Sequence, residues 1–139
     1  MITVDLNHLE LNEFVGVLEK KQHCKATFPL IGAHGSKELA TVYFEIAPGD
    51  MLGRHTDSAE ELLIILEGEA EVEIGNESIC TKKGSVALVP KDIPHNLWNI
   101  GSETLKVLGV FGGANNIVAT FEEEFLPLNT NVVDTSQIE

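Results

Sequence analysis

Positively charged side chains are scarce in this sequence, which has nine lysines and arginines against 22 aspartates and glutamates. The formal net charge of −13 argues against a nucleic-acid-binding protein, because such proteins need a basic surface that neutralises phosphates. Long apolar runs are lacking too, and no stretch approaches the roughly 20 residues that a membrane-spanning helix needs. The first residues show neither the basic region nor the apolar run of a signal peptide. These absences predict a soluble cytoplasmic protein without nucleic-acid or membrane partners.

Cysteine is also rare, with only Cys24 and Cys80 in the chain. The two residues are far apart and show no CxxC or zinc-knuckle spacing, so we expect unpaired thiols in a reducing compartment. A chain of 139 residues is one domain's worth and can bury a core without disulfide bonds.

Short apolar segments separated by turn residues dominate the middle of the sequence. Residues 69–74 alternate between apolar and polar side chains, and Gly75-Asn76 after them is typical of a hairpin turn. Many short strands with turn signals between them predict an all-β sandwich or a closed barrel. The predicted strands cover residues 25–31, 39–47, 62–66, 69–74, 77–81, 85–89, 95–99, 104–111 and 117–121.

The two ends of the chain have a different character from its middle. Residues 7–20 place apolar side chains at mostly helical spacing behind a candidate cap at Asn7, so a short N-terminal helix is one interpretation, which Gly16 weakens. From Asn129 onward the chain is polar, and we expect it to be frayed. We therefore divide the single domain into an N-terminal extension (1–38), a barrel core (39–111) and a C-terminal strand and tail (112–139).

Four residues that can bind a metal ion lie on two separate strand segments: His55, Asp57, Glu61 and His95. Residues two apart in a strand point to the same face, so His55 and Asp57 project together. His95 must arrive from a distant segment, as happens when a sheet curls around a site. Two imidazoles and two carboxylates suit iron, manganese, zinc, nickel or copper better than calcium.

Two stretches, residues 49–68 and 84–99, resemble the paired signature motifs of the cupin superfamily, in its small single-domain form. Asp57 stands where that family has a second histidine, and Asp92 stands where it usually has a glycine. The matching residues are Gly49, His55, Glu61 and Gly68 in the first motif and Gly84, Pro90, His95 and Asn99 in the second.

The resemblance implies a conical antiparallel jelly-roll β-barrel that holds a divalent transition metal and assembles as a homodimer. Asp57 in place of histidine makes the donor set harder and more anionic, which favours iron or manganese, with zinc or nickel as further options. Asp92 is expected to occupy a turn, because aspartate tolerates left-handed backbone geometry.

The metal interpretation competes with a metal-free one. Two carboxylates inside a barrel repel each other and lose hydration, so either a cation or protonation of one carboxylate must compensate. Strand phase predicts that Glu60 points outward and that Leu63 and Ile65 line an apolar cavity around the site.

Residues outside this set have structural interpretations. We expect Arg54, the only arginine, to form an ion pair, although it could reach the barrel mouth and bind a substrate carboxylate. Trp98 is expected to pack or to form a dimer contact. The remaining histidines are expected at the surface: His8, His23 and His34.

The resemblance implies only a general class of function. It implies a metal-dependent enzyme of dioxygenase, isomerase or decarboxylase type that acts on a small organic substrate. Glu61 could in addition leave the metal and serve as a catalytic general base while the other three ligands hold the ion. A non-catalytic module that binds or senses a small molecule is the alternative, since a fold does not fix a function. A third interpretation is that Asp57 weakens the site enough to leave it without metal.

Overall fold

The structure is a computed structural model that describes residues 1–138. Strands dominate it, and its helices are three short 3₁₀ turns at Leu6–His8, Gly32–His34 and Thr135–Gln137. The strands are β1 (Asn12–Gly16), β2 (His23–Thr27), β3 (Leu39–Ile46), β4 (His55–Asp57), β5 (Glu61–Glu67), β6 (Glu69–Ile74), β7 (Glu77–Lys82), β8 (Val86–Val89), β9 (His95–Asn99), β10 (Leu105–Gly112), β11 (Val118–Leu126) and β12 (Thr130–Asp134).

All twelve strands belong to one curled antiparallel sheet, which confirms the predicted all-β jelly-roll architecture. Its strands follow the order β7-β6-β9-β4-β11-β1-β2-β3-β10-β5-β8, and β12 pairs with β11. The predicted hairpin joins β6 to β7, with Gly75 at a φ of 59°. Because the sheet curls, β5 comes to face β4 and β9 across the interior, although several strands separate them in the sheet.

Apolar side chains on the inner face of the sheet form the core. The buried cluster includes Phe44, Ile46, Leu97, Leu105 and Val107, each at most 2% exposed. Alternation along β10 is complete, with every second residue from Leu105 to Phe111 buried, as expected for a strand that packs one face inward.

The N-terminal helix interpretation is wrong. Residues 12–16 form β1, which pairs with β2 and β11, and the only helical turn nearby is the three-residue 3₁₀ turn that Asp5 caps. Tertiary pairing decides the conformation here, because β1 satisfies its backbone groups on two neighbouring strands. At Gly16 any side chain would collide with the carboxylate of Glu123 and the carbonyl of Glu19.

The prediction of a frayed end beyond Asn129 is also wrong. Strand β12 pairs with β11, and Thr135 after it is fully buried. The Thr135 hydroxyl accepts a hydrogen bond from the amide of Ile117 at 2.8 Å. A mostly polar sequence therefore forms an ordered strand, which β11 stabilises by pairing and in which Val133 packs against the core.

Both cysteines are free, as predicted: Cys24 is buried and Cys80 is exposed. None of the helices in residues 1–138 has the length and apolar character that a membrane crossing needs.

Candidate metal centre

Three adjacent strands place the two predicted histidines side by side. His55 on β4 is the direct partner of His95 on β9, and Phe121 on β11 is the partner of His55 on its other side. The imidazole centroids lie 4.1 Å apart, and the ring of Phe121 stacks on His55 at 4.4 Å. Asp57, two residues after His55, faces the same interior and is 4% exposed. Antiparallel pairing thus brings residues 40 positions apart in sequence into contact.

Backbone carbonyls fix which nitrogen of each imidazole faces the site. His55 Nδ1 lies 2.7 Å from the carbonyl oxygen of Gly53, and His95 Nδ1 lies 2.9 Å from that of Ile93. A carbonyl oxygen can only accept, so each Nδ1 carries the proton and donates. Each Nε2 therefore faces the interior, which is the orientation that a metal-binding histidine needs.

The inward-facing atoms converge. The Oδ2 atom of Asp57 lies 3.6 Å from His55 Nε2 and 3.0 Å from His95 Nε2. The donor atoms of His55, Asp57 and His95 all lie within 4.8 Å of one another. Glu61 is outside this trio, but its Oε1 lies 3.5 Å from His95 Nε2. Two ligands on one cation, each at about 2.1 Å, are about 3 to 3.5 Å apart, so these separations match a shared ion.

Unsatisfied polar atoms provide the test of whether a metal suits these residues. Asp57 Oδ2 and His95 Nε2 are buried, and although they lie 3.0 Å apart, neither has a partner in hydrogen-bonding geometry within the described residues. Leaving such atoms unpaired is costly, and a divalent cation would satisfy both of them at once. The nitrogen and oxygen donors therefore fit a divalent metal, and His55, Asp57 and His95 form a candidate metal-binding triad.

In the metal-free site, burial and neighbouring charges shift the pKa values of the acidic groups and of His95 in different directions. Burial favours the neutral carboxyl of Asp57, but the two imidazoles outweigh it and lower the pKa of Asp57 to about 2. Burial raises the pKa of Glu61 above its ordinary value, and the charge of Asp57 adds to this effect. Burial alone would lower the pKa of His95, but Asp57 and Glu61 together raise it to about 10. Without a metal, a proton on His95 thus compensates part of the buried charge.

Gly109 on β10 makes room for the carboxylate of Glu61. A Cβ atom at this position would collide with Glu61 Oε2 and would come within 2.8 Å of Val42 Cγ1. Nothing in the sequence pattern of β10 distinguishes this glycine, because the collision involves a strand distant in sequence.

We expect Gly109→Ala to lower metal affinity about tenfold, the smaller effect seen when a group that orients a ligand is changed. The added methyl group displaces Glu61 from its place beside His95. Gly112→Ala on the same strand is the matched control, because a Cβ there meets nothing within 4 Å. Metal titration of both folded variants checks the result, and equal affinities would contradict the role of Gly109.

A cavity of about 620 Å³ opens beside the cluster, and His55, Asp57 and Glu61 form part of its wall. The prediction that Leu63 and Ile65 line it is wrong. Both are buried, at 1% and 2% exposed, but the cavity extends instead toward β1, β2 and β11. Strand phase gives the correct face, whereas the curl of the sheet decides which part of the interior stays open.

Arg54 points away from the cluster and forms the predicted ion pairs. Its guanidinium lies 3.6 Å from Glu73 and 3.5 Å from Glu122, and it donates to the carbonyl of Gly75. The indole of Trp98 donates to Glu73 at 2.9 Å, which gives Trp98 a structural contact on the same outer surface. Glu60 is exposed, as predicted.

The other histidines lie outside the cluster. His8 is exposed, and His23 is one-third exposed between the carboxylates of Glu13 and Asp50. His34 is exposed as well, but it borders the cavity, which the sequence did not indicate. Asp92 has the expected left-handed conformation, with a φ of 61°, in the turn that leads to His95.

Several residues that support the cluster were not predicted from the sequence. Gly53 supplies the carbonyl that orients His55, and its own amide donates to the side chain of Asn96 at 2.9 Å. The carbonyl of Ile93 orients His95 in the same way, so each histidine is oriented by the carbonyl of the residue two positions earlier. Such backbone acceptors leave no compositional signal, although the shared i−2 spacing could have suggested them.

Solved structures with the same fold include several cupin-type enzymes. A provisionally assigned sugar phosphate isomerase from Acidithiobacillus ferrooxidans aligns over 100% of this chain and 94% of its own, with a TM-score of 0.68 and 19% identity. An oxalate decarboxylase from Thermotoga maritima, itself assigned by prediction, aligns over 80% and 98%, with a TM-score of 0.66 and 20% identity. At these identities the similarity establishes the fold alone.

Curated relatives match the central part of the chain. An uncharacterised protein of Methanocaldococcus jannaschii is 35% identical over 72 residues, which are 52% of this chain and 57% of that protein. Auxin-binding protein 4 of Zea mays is 29% identical over 86 residues, 55% of this chain and 42% of that protein. The chain thus spans about half the length of the curated relatives it matches. The sequence profile of the Cupin domain family matches residues 42–111, half of the chain, and this protein therefore belongs to that family.

Proposed function

We propose that this protein is an enzyme that depends on a divalent transition metal and acts on a small organic molecule. The observation that carries the proposal is the position of three buried donors, His55, Asp57 and Glu61, in the wall of a large cavity. Donors that only stabilise a fold do not need to be reachable from a cavity. A metal bound beside a cavity can instead keep coordination positions open for a substrate.

His55, Asp57 and His95 would hold the metal, and Glu61 would serve either as a fourth ligand or as a base. When bound, the metal supplies Lewis-acid chemistry to a carbonyl, hydroxyl or enolate oxygen of the substrate. Iron or manganese fits the oxygen-rich donor set best, and zinc or nickel also fits. The reaction is of the oxygenase, isomerase or decarboxylase type, in which a substrate oxygen carries or develops negative charge.

Glu61 is the residue best placed to move a proton. Its carboxyl group is buried in the cavity wall, and its pKa is raised by burial and by the charge of Asp57. A raised pKa brings a carboxylate closer to neutral pH, where it can accept a proton from a substrate and later return it. Apolar side chains make up most of the surrounding walls, which limits the access of water to Glu61 once a substrate fills the cavity.

Metal analysis and turnover together test the proposal. Protein purified without chelator should contain nearly one transition-metal ion per chain, and reconstitution with iron or manganese should give turnover in an oxygen-consumption and product screen of flavonols and β-diketones. Glu61→Gln should keep the metal within about tenfold in affinity but lose turnover at least about 100-fold, the usual size of a general-base effect. Protein that is consistently free of metal would defeat the proposal.

A non-catalytic binding module is the second candidate. The relative named auxin-binding protein 4 favours it, because that name describes binding and no reaction. A binding module would take up ligand stoichiometrically and return it unchanged, with no oxygen consumed and no product formed. Recovery of unaltered ligand from metal-loaded protein would therefore favour this candidate over the enzyme.

A further inference from the structure

The outer face of β3, β10, β5 and β8 is mostly apolar, although an antiparallel sheet with one face on the core normally presents polar side chains on the other. Leu39, Val86 and Leu88 point outward there, and each is more than half exposed. Strand pairing aligns the outward side chains in two rows across the four strands, and we call this surface the apolar outer face. The rows are Thr41, Val110, Leu62 and Leu88, and Tyr43, Leu108, Ile64 and Val86.

The other side of the barrel follows the normal pattern and is acidic. Along β6, buried Ala70 and Val72 alternate with outward-facing glutamates, and β11 presents further glutamates to solvent. Two copies of a protein with a net charge of −13 would repel each other most strongly if they met through this acidic surface. Its outward acids include Glu69, Glu71, Glu73, Glu122 and Glu124.

Both signs of charge border the apolar outer face. At one end, Lys83 Nζ lies 3.3 Å from Glu67 Oε1, and at the other end Glu60 precedes β5 while Lys91 follows β8. A two-fold rotation can place lysines of one copy against glutamates of another, so such a rim is compatible with a second copy of the same surface. A partner with charge of only one sign would meet repulsion along part of the rim. The rim includes Glu45, Glu60, Glu67, Lys83, Lys91 and Lys106.

The size of the apolar outer face suits a protein interface. Four strands about 4.8 Å apart, each as long as the seven-residue β5, cover about 19 by 23 Å, or roughly 440 Å². Soluble monomers rarely expose apolar patches larger than a few hundred Å². A stable interface buries about 800 Å² per partner, with an apolar centre and a polar rim. The apolar outer face supplies such a centre, and the charged residues around it supply the rim.

We infer that the apolar outer face binds a second copy of this chain, sheet against sheet, in a symmetric dimer. Sheets that pack face to face lie about 10 Å apart, so the two rows of each copy interdigitate with those of the other. None of the eight residues in the rows lines the cavity, so the dimer does not involve the candidate metal centre. The inference is therefore independent of the proposed function.

Sedimentation equilibrium of the whole protein over a wide range of concentrations tests this inference. The unchanged protein should show twice the mass of one chain. Leu88→Glu should raise the dissociation constant of the dimer at least about 100-fold, because it places a carboxylate in the apolar centre of both copies. The matched control, Ile79→Glu, adds the same charge at a 64% exposed position on β7, at the other end of the sheet, and should leave the constant unchanged.

Val86→Thr provides a second, milder variant that keeps a β-branched side chain on β8 and adds no charge. It should weaken the dimer about tenfold, because each of the two copies loses an apolar methyl group from the interface. If Leu88→Glu fails to fold, Val86→Thr alone decides the outcome. Circular dichroism checks the fold, and metal uptake, measured in parallel, reports on the metal centre separately because neither Val86 nor Leu88 lines the cavity.

Three results would overturn the inference. A monomer at every concentration would leave the apolar outer face to a different protein. A dimer that persists in the folded Leu88→Glu variant would be formed by another surface. Equal dissociation of Ile79→Glu and Leu88→Glu would mean that net charge, rather than the apolar outer face, controls association.

Discussion

We expect His95→Ala to lower the affinity for a divalent metal by more than about 100-fold, beyond the effect of changing a group outside the ligand set. His95 lies between the two carboxylates of the site: its Nε2 is 3.0 Å from Asp57 and 3.5 Å from Glu61. Removing it leaves two buried carboxyl groups without a shared nitrogen donor. Elemental analysis and competition titration with a chromogenic chelator measure the loss.

His23→Ala is the matched control for this prediction. His23 also lies between two carboxylates, those of Glu13 and Asp50, but it is one-third exposed and does not line the cavity. Its removal should leave metal affinity unchanged. Asp57→His should retain metal or bind it more tightly, because it replaces one donor by another. Unchanged affinity in the folded His95→Ala variant would show that the four residues are not the ligands.

The spacing of residues in two short motifs was enough to predict the cluster, because side chains alternate between the two faces of a strand. His55 and Asp57 had to share a face, and the phase of β5 correctly turned Glu61 inward and Glu60 outward. The left-handed turn at Asp92 followed from the tolerance of aspartate for that conformation. These features depend on local rules that a sequence records directly.

Features that depend on the curl of the sheet could not be predicted in this way. Leu63 and Ile65 are on the expected face, but whether that part of the interior is filled or open depends on strands far away in sequence. The space that Gly109 leaves for Glu61 has the same origin. The alternation along a strand specifies which way a side chain points. Whether open space remains there depends on how completely all the side chains fill the interior of the sheet.

The two ends of the chain differ from the predictions for a related reason. Apolar residues in positions 9–18 match a helical period about as well as a strand edge, and β12 has a polar sequence. Both segments become strands because β11 offers each of them a partner. Their conformation is decided by long-range pairing, which neither propensity nor periodicity of a short segment reports.

We expect metal affinity to rise steeply with pH, by at least about tenfold per pH unit between about pH 5 and pH 8. In the metal-free site the pKa of His95 is raised to about 10 by its acidic neighbours, and burial raises the pKa of Glu61. Both groups must lose a proton before they can bind a cation, so acid favours the metal-free state and base favours the metal-bound state. Asp57, with its pKa lowered to about 2, is already ionised and adds no slope in this range.

Calorimetric titration in buffers of different ionisation enthalpy counts the protons released on metal binding and should find at least the one that His95 carries. Glu61→Gln removes one titrating group whose pKa is raised, so the affinity of this variant should depend less steeply on pH than that of the unchanged protein. Glu67→Gln, a change at an exposed residue at the end of β5, should leave the slope unaltered. A flat profile in the unchanged protein would mean that the metal does not displace protons from His95 and Glu61, and that it binds elsewhere.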